Sequence, residues 1–204
     1  MVPSKAGDKK TDPLRLVGKS VILEEIQPKY FSYIIEWRNR GSINKYFNYR
    51  NLLTLESEKK WYEETYLPDN TQVLLLRIDK ETQTPFAASG WVDFDAENKR
   101  CIGARLMLGD QKYAGHPAFI EGEFLLSDYI YQMADVVYCH VMKSNRQALH
   151  YNKIMGFVMN EGSLQYPSET LVNGNELCEL YRTKEMYLAV RKKMFEALGD
   201  RLFN

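Results

Sequence analysis

The sequence predicts a mixed α/β domain with an antiparallel half first, a βαβ half second and a helical tail. Apolar runs of strand length at 72–79, 86–95 and 100–108 follow one another across turns with no helix between them, which makes a three-stranded antiparallel meander. Beyond it the apolar period switches between strand and helix, in the order strand, loop, helix, strand, helix, strand. The composition agrees: 204 residues with 45% hydrophobic content enclose one core.

Residues 1–17 are polar and carry Pro3, Gly7 and Pro13, so they read as a flexible or loosely attached lead-in, leaving 18–204 as a single domain. "SVILEEI" at 20–26 is a strand, and "PKYFSYIIEWRNR" follows as a helix with Pro28 in its first turn and Phe31, Ile34 and Ile35 on one side. Thr54 caps a second helix, with Glu56 and Glu58 in the first turn, where the dipole favours acids. After the meander, Ile120, Phe124, Leu125 and Ile130 recur at near-helical spacing, a pattern that Gly122 weakens slightly. "DVVYCHVM" is a compact buried strand, "NRQALHYNKIM" a helix stopped by Gly156, and "FVMNEG" the next strand. "QYPSETLVNGNE" at 165–176 is a loop or hairpin leading to a last strand in "LCELYRTKEMYLA". The closing helix "YLAVRKKMFEAL" has an apolar side of Val190, Met194, Phe195 and Leu198, which makes a homodimer an expectation.

Bulk numbers exclude several function classes. The 27 basic and 27 acidic residues cancel at a pI near 6.8, so no nucleic-acid partner is expected. Cys101, Cys139 and Cys178 are odd in number and widely spaced, which suggests neither a disulfide framework nor a metal site and fits a reducing cytoplasm. With no apolar run of about 18 residues, no membrane span is expected.

The stretch "DQKYAGHPAFIEGEF" at 110–124 turns from loop into helix, and the free N–H groups of a helix start suit an anion. Gly109 and Gly115 permit tight turns and Lys112 brings a cation. The N–H groups of Lys112, Tyr113, Ala114, Gly115 and His116 are expected to point inward together as a nest. A phosphate-bearing cofactor is the expected ligand, and a plain turn is the alternative.

From Lys112 to Pro117 this loop resembles the Arg/Gln-x-x-Gly-x-Gly/Ala pattern with which the GNAT superfamily of N-acetyltransferases holds acetyl-CoA, with Lys at the first place, Pro at the last and Gln111 one place upstream. "VMKSNRQALHYNKIMGF" at 141–157 resembles the same family's strand-helix-strand segment through Val141, Asn145, Ala148, Gly156 and Phe157. A third segment, 34–66, is similar to the Trp-Arg-Asn stretch of the branch holding the ribosomal-protein alanine acetyltransferases and the flagellin-sugar type acetyltransferases of nucleotide-linked amino sugars. Trp37, Arg38, Asn39, Ile43 and Trp61 carry that similarity.

The resemblance implies a GNAT fold, with a mostly antiparallel sheet splayed between its fourth and fifth strands, helices on its flanks and a C-terminal helical extension. It implies acetyl-CoA as acyl donor, no metal, and a small-molecule amine acceptor, nearest to a nucleotide-linked amino sugar. A protein N-terminal amine or a small free amine is the alternative acceptor. A non-catalytic acyl-CoA-binding or interaction protein is the alternative of another class. The backbone of Leu106, Met107 and Leu108 is expected to hold the pantetheine arm together with Asn145, and Gln111, Lys112, Tyr113, Ala114, Gly115 and His116 to hold the diphosphate, with Asn152 and Lys153 alongside.

Acyl transfer from a thioester needs an unprotonated amine, a polarised carbonyl and a protonated leaving sulfur. In the family a Tyr seven residues after the Asn is the usual proton donor. Here that position is Asn152 and the Tyr is Tyr151, about 100° away around a helix, so the acid is left between Tyr151 and water. The family's strand Glu is replaced by Gly103 or Arg105, which leaves Asp93, Asp95, His140 or a water chain as base; a core role competes for His140. Trp37, Arg38, Asn39, Tyr46 and Trp91 are the candidate acceptor-binding residues, with Phe47, Tyr49 and Arg50 nearby to stack a base and neutralise a diphosphate. Core packing is the competing role for Trp37.

Overall fold

Two short strands open the chain, β1 (Arg15–Val17) and β2 (Val21–Glu25), paired antiparallel with Leu16 opposite Leu23. The computed structural model describes residues 12–47, 51–161, 171–172 and 175–199. β1 lies inside the expected lead-in: Leu14 N–H donates to the Glu25 carboxylate and the strand pairs normally, so order begins before residue 18. A 3₁₀ turn at Pro28–Tyr30 leads into α1 (Phe31–Asn39), then come the short α2 (Gly41–Asn44) and α3 (Leu55–Trp61), which runs on as a π-turn through Tyr62–Tyr66. Thr54 caps α3 as expected, its hydroxyl accepting from Ser57 N–H while Ser57 Oγ accepts from Thr54 N–H, a reciprocal box that satisfies two end donors.

The meander is β3 (Val73–Asp79), β4 (Pro85–Asp95) and β5 (Arg100–Leu108). A 3₁₀ turn at Gln111–Tyr113 and α4 (Pro117–Ile130) then carry the chain back to β6 (Val136–Met142), which pairs parallel with β5. After α5 (Arg146–Ile154) come β7 (Val158–Met159), β8 (Leu171–Val172), β9 (Asn175–Thr183) and α6 (Lys184–Leu198). The sheet order is β1-β2-β3-β4-β5-β6-β9-β7, with β8 against β9. Most of the expected 165–176 loop or hairpin lies outside the described residues, but Leu171 and Val172 do pair with Glu176 and Asn175.

Strand alternation buries both faces of the sheet. On β3, Val73 and Leu75 join the core under α4 while Leu74 and Leu76 join the core under α1, so successive residues serve opposite layers. The α4 side collects Phe86, Trp91, Val137, Cys139, Phe124 and Tyr187; the α1 side collects Phe31, Ile34, Trp37, Tyr66 and Ile78. Each fully buried Leu or Phe of these layers contributes about 1.5–3 kcal/mol. Gly122 weakens α4 for a packing reason: a Cβ there would sit 3.0 Å from Arg77 Cδ, which crosses under the helix. The apolar side expected on α6 turns partly inward, since Met194 packs on the α4-side core and Val190 closes over Gly156. Leu188 and Phe195 are the large apolar residues that α6 leaves exposed among the described residues; the Leu198 side chain is outside them.

Candidate active site

The parallel pair is short. β5 and β6 are in register only at Arg100, Cys101 and Ile102 against Val136, Val137 and Tyr138; beyond that point β6 stays with β9 through Met142 and β5 stays with β4. The expected splay is therefore present, but between the fifth and sixth strands, because β1 adds one strand ahead of it. A bulge accounts for the divergence. Between the pairs Ala88–Met107 and Gly90–Ala104 the β5 chain carries one extra residue, and Arg105 there has φ of 61°. Such an insertion bends and twists its strand, here away from β6. A second irregularity on β4 gives Asp93 a φ of 52°.

The wedge opens a cleft of about 760 Å³. Residues 103–106 form one wall, residues 139–142 the other, and Glu123, Ser127, Asn145, Ala148, Tyr151 and Asn152 reach it from α4 and α5. Past Ile102 the β5 edge toward β6 has no ladder partner among the described residues, so it offers bare main chain along the cleft. Leu106 lies on this edge, 38% exposed. Met107 and Leu108 turn their side chains into the two cores, so what they can offer a ligand is main chain. Asn145 caps α5, its Oδ1 accepting from Ala148 N–H at 3.1 Å, and its Nδ2 has no bond among the described residues, so capping and ligand holding are compatible. Lys153 is exposed and lies away from the cleft.

The α4-side floor is a closed charge network. Arg77 donates to Glu123 at 2.9 Å, to Phe119 O at 2.6 Å and to Ser89 Oγ at 3.0 Å. Arg182 donates to Ser127 Oγ, Met155 O and Tyr131 Oη, and lies 3.7 Å from the Glu123 carboxylate. Tyr151 donates to Glu123 at 3.3 Å, and burial first, then that carboxylate, hold its hydroxyl proton on well above the usual tyrosine range. Its hydroxyl hydrogen is directed at Glu123 in this arrangement. Asn152 is used as well: Nδ2 donates to Ala148 O at 2.9 Å and Oδ1 accepts from Cys139 Sγ at 3.5 Å. Burial pushes the Cys139 thiol up to about 12, which holds it in the thiol form.

On the opposite side the expected acceptor residues divide. Arg38, stacked 3.7 Å over the Phe47 ring, lines the cleft there with Tyr46, whereas Trp91 reaches the cleft from the α4-side core, stacked on Tyr129. Trp37 does not: it is 3% exposed, and its indole fills the space where Gly109 lacks a Cβ. Asn39 is not free either, since its amide clamps Leu53 at both N–H and C=O. Tyr49 and Arg50 lie outside the described residues. Asp93 is exposed at the rim. Arg105, expected only as an occupant of the strand Glu position, donates to Gln72 and sits 5.1 Å over Trp61 with Nη1 buried and unbonded among the described residues. Burial pushes Glu58 up to about 7, although Arg38 and Arg105 pull the other way.

The 110–116 loop departs most from expectation. The N–H groups of Tyr113, Ala114 and His116 donate to Asp110 O, Gln111 O and Tyr113 O, and Lys112 N–H donates to the Asp110 carboxylate. Among the five expected nest donors only Gly115 N–H is without a bond among the described residues. A 3₁₀ turn satisfies its own donors, which the spacing of glycines does not reveal. Tyr113 is buried, stacked on Phe86 at 4.0 Å and bonded to Asp79. His116 caps α4, its Nδ1 accepting from Ala118 N–H at 3.2 Å. Gln111, Lys112, Ala114 and Gly115 are exposed and stand outside the cleft itself.

His140 lines the cleft from β6, with Nε2 3.0 Å from Glu179 Oε2 on β9. The sequence holds a signal for Glu179: an acid inside "LCELY", where alternation makes a buried strand. Glu123 similarly interrupts the apolar run of α4.

No protein-family model and no curated protein matches the chain. Solved structures do. A GCN5-related N-acetyltransferase from Brucella melitensis aligns over 96% of this chain and 90% of its own at 15% identity and a TM-score of 0.75. FdhC, a nucleotide-linked sugar GNAT, aligns over 95% and 100% at 16% identity and 0.69. Spermidine N-acetyltransferase from Vibrio cholerae, solved with CoA and spermine, aligns over 83% and 98% at 15% and 0.66. Identities this low speak for architecture, and with the splayed parallel pair and the bulged strand beside it they show that the chain has the fold of the GNAT N-acetyltransferases.

Proposed function

We propose that the protein is an N-acetyltransferase that moves an acetyl group from acetyl-CoA to a primary amine, with a nucleotide-linked amino sugar as acceptor. The observation that carries the reading is the wedge past Ile102 and Tyr138, where a strand edge unpaired among the described residues runs beside a cleft that Asn145 lines. Amide donors on such an edge bind the pantetheine amides and the thioester oxygen, whose charge grows as the nitrogen attacks. FdhC supports the sugar acceptor by its likeness, as does the cationic, aromatic side of the cleft formed by Arg38, Phe47 and Arg105. That same side disfavours a polycation such as spermine, the ligand named for the Vibrio cholerae structure.

The test is thiol release from acetyl-CoA with three acceptors: a UDP-linked 4-amino sugar, spermidine and an N-terminal alanine peptide. Turnover with the sugar at a kcat/KM at least about tenfold above the others is expected. The self-bonded 110–116 loop favours a second reading, a member of the fold that has given up catalysis. CoA binding by calorimetry, or its absence, together with no thiol release from any amine, decides for that reading.

A further inference from the structure

Resting on this reading, we propose that Glu179 positions His140 as the one proton carrier of the transfer, with its Nδ1 accepting protons from the acceptor nitrogen and returning one to the departing sulfur. His140 stands two residues beyond Tyr138, the last β6 residue paired with β5, so it sits where the wedge opens. Its side chain is 14% exposed and lines the cleft, whereas that of Glu179 is 0% exposed. Glu179 is anchored from behind: Asn160 Nδ2 donates to its Oε1 at 2.6 Å, and Asn160 N–H donates to its backbone oxygen at 2.9 Å. Val137, Cys139 and Val141 point into the α4-side core, so alternation puts His140 on the other face with Tyr138, whose hydroxyl burial holds protonated. Tyr181, opposite Tyr138 on β9, flanks Glu179 on that same face.

A carboxylate only accepts, so the 3.0 Å contact requires hydrogen on Nε2. With that hydrogen on Nε2, the lone pair of the neutral imidazole form lies on Nδ1, which makes no hydrogen bond among the described residues. A proton arriving at Nδ1 creates an imidazolium beside a buried carboxylate, which is the charge that carboxylate lacks. Of the other candidates, Tyr151 is bonded to Glu123, Asn152 to Ala148, and Cys139 is held as a thiol, while Asp93 stands exposed at the cleft rim.

The balance closes with one residue. The acceptor ammonium loses its first proton through Nδ1 to water, and the free amine attacks the thioester carbon, forming C–N as the carbonyl pair moves to oxygen. The adduct nitrogen loses its second proton to Nδ1. As the carbonyl reforms, C–S breaks with its electron pair on sulfur, and Nδ1 hands that proton over, so CoA leaves as a thiol beside the N-acetyl product.

Long-range ¹H–¹⁵N spectra of the ¹⁵N-histidine protein at alkaline pH read the tautomer without any turnover. Hydrogen on Nε2 of His140 is expected, and hydrogen on Nδ1 overturns the dyad even if the enzyme proves inactive on every amine. In the active enzyme, His140→Ala should lower kcat about a hundredfold to ten-thousandfold, with CoA affinity by calorimetry within about twofold, and added imidazole should restore part of the rate. Glu179→Gln, which keeps the shape and an acceptor oxygen, should lower kcat roughly tenfold or more while the KM for acetyl-CoA stays within about twofold. Unchanged kcat in either folded variant, or no imidazole rescue, overturns the proposal and leaves the acetyltransferase reading standing. CoA that fails to bind the wild-type protein instead defeats that reading.

Discussion

Charge is buried on both faces of the sheet, and the two faces treat it differently. Under α4, Arg77 and Arg182 converge on Glu123, and each guanidinium nitrogen that donates there has an acceptor within 3.2 Å. Under α1 and α3, Arg105 Nη1 is buried with no hydrogen bond among the described residues, and the buried Glu58 has Arg38 and Arg105 as its charged neighbours. A buried group left unbonded loses its hydration without replacement, about 1–3 kcal/mol and more for a charge. Closed networks build scaffolds, and open valences next to a cleft mark the side that works. Strain points the same way: the left-handed residues Asp93 and Arg105 both line the cleft, while the floor has none.

Removing Glu123 breaks this contrast most forcefully. Glu123→Ala leaves two buried guanidiniums unpaired and should lower stability by about 3–5 kcal/mol in chemical denaturation. A loss under about 1 kcal/mol would mean the floor is as loose as the mouth. Next comes Glu58. With the folded carboxyl raised to about 7 from an ordinary 4.5, the folded state holds its proton longer than the unfolded chain. Stability from this group is therefore full below about pH 4.5 and falls as pH rises toward 7, by on the order of 3 kcal/mol at most. Glu58→Gln should flatten that decline and show its gain at pH 8 rather than pH 5. A parallel pH dependence in both proteins argues against a buried acid whose proton is held by desolvation.

Smaller effects sharpen the comparison. Asn145→Ala removes the α5 cap and should lower stability by about 1 kcal/mol; a much larger rise in the KM for acetyl-CoA than in any substrate-independent parameter would show the second, ligand-holding role. Tyr151→Phe deletes a floor hydroxyl, so about 1 kcal/mol of stability should go while kcat stays within about threefold. A hundredfold fall in kcat would return Tyr151 to the reaction and make the floor catalytic.

Local features were legible in advance. Thr54 and Asn145 cap helices, Gly156 takes φ of 84° after α5, and the meander runs where its apolar runs stand, because each is decided by residues within a few places along the chain. The loop at 112–116 misled, since Gly and Lys spacing suits a nest and a 3₁₀ turn equally, and only hydrogen-bond partners distinguish them. Trp37 was ambiguous for a related reason: an aromatic beside an Arg reads as a binding residue until Gly109 is found against its ring.

What the chain by itself determined is the order of strands and helices, hence the fold, because periodicity is a short-range property of sequence. Tertiary structure alone decided which side chains meet around the cleft. His140 meets Glu179 from 39 residues away, Tyr151 meets Glu123 from 28 and Arg105 meets Gln72 from 33. A side chain's protonation and availability depend on such distant neighbours, and only the closed sheet and its covering helices bring them together.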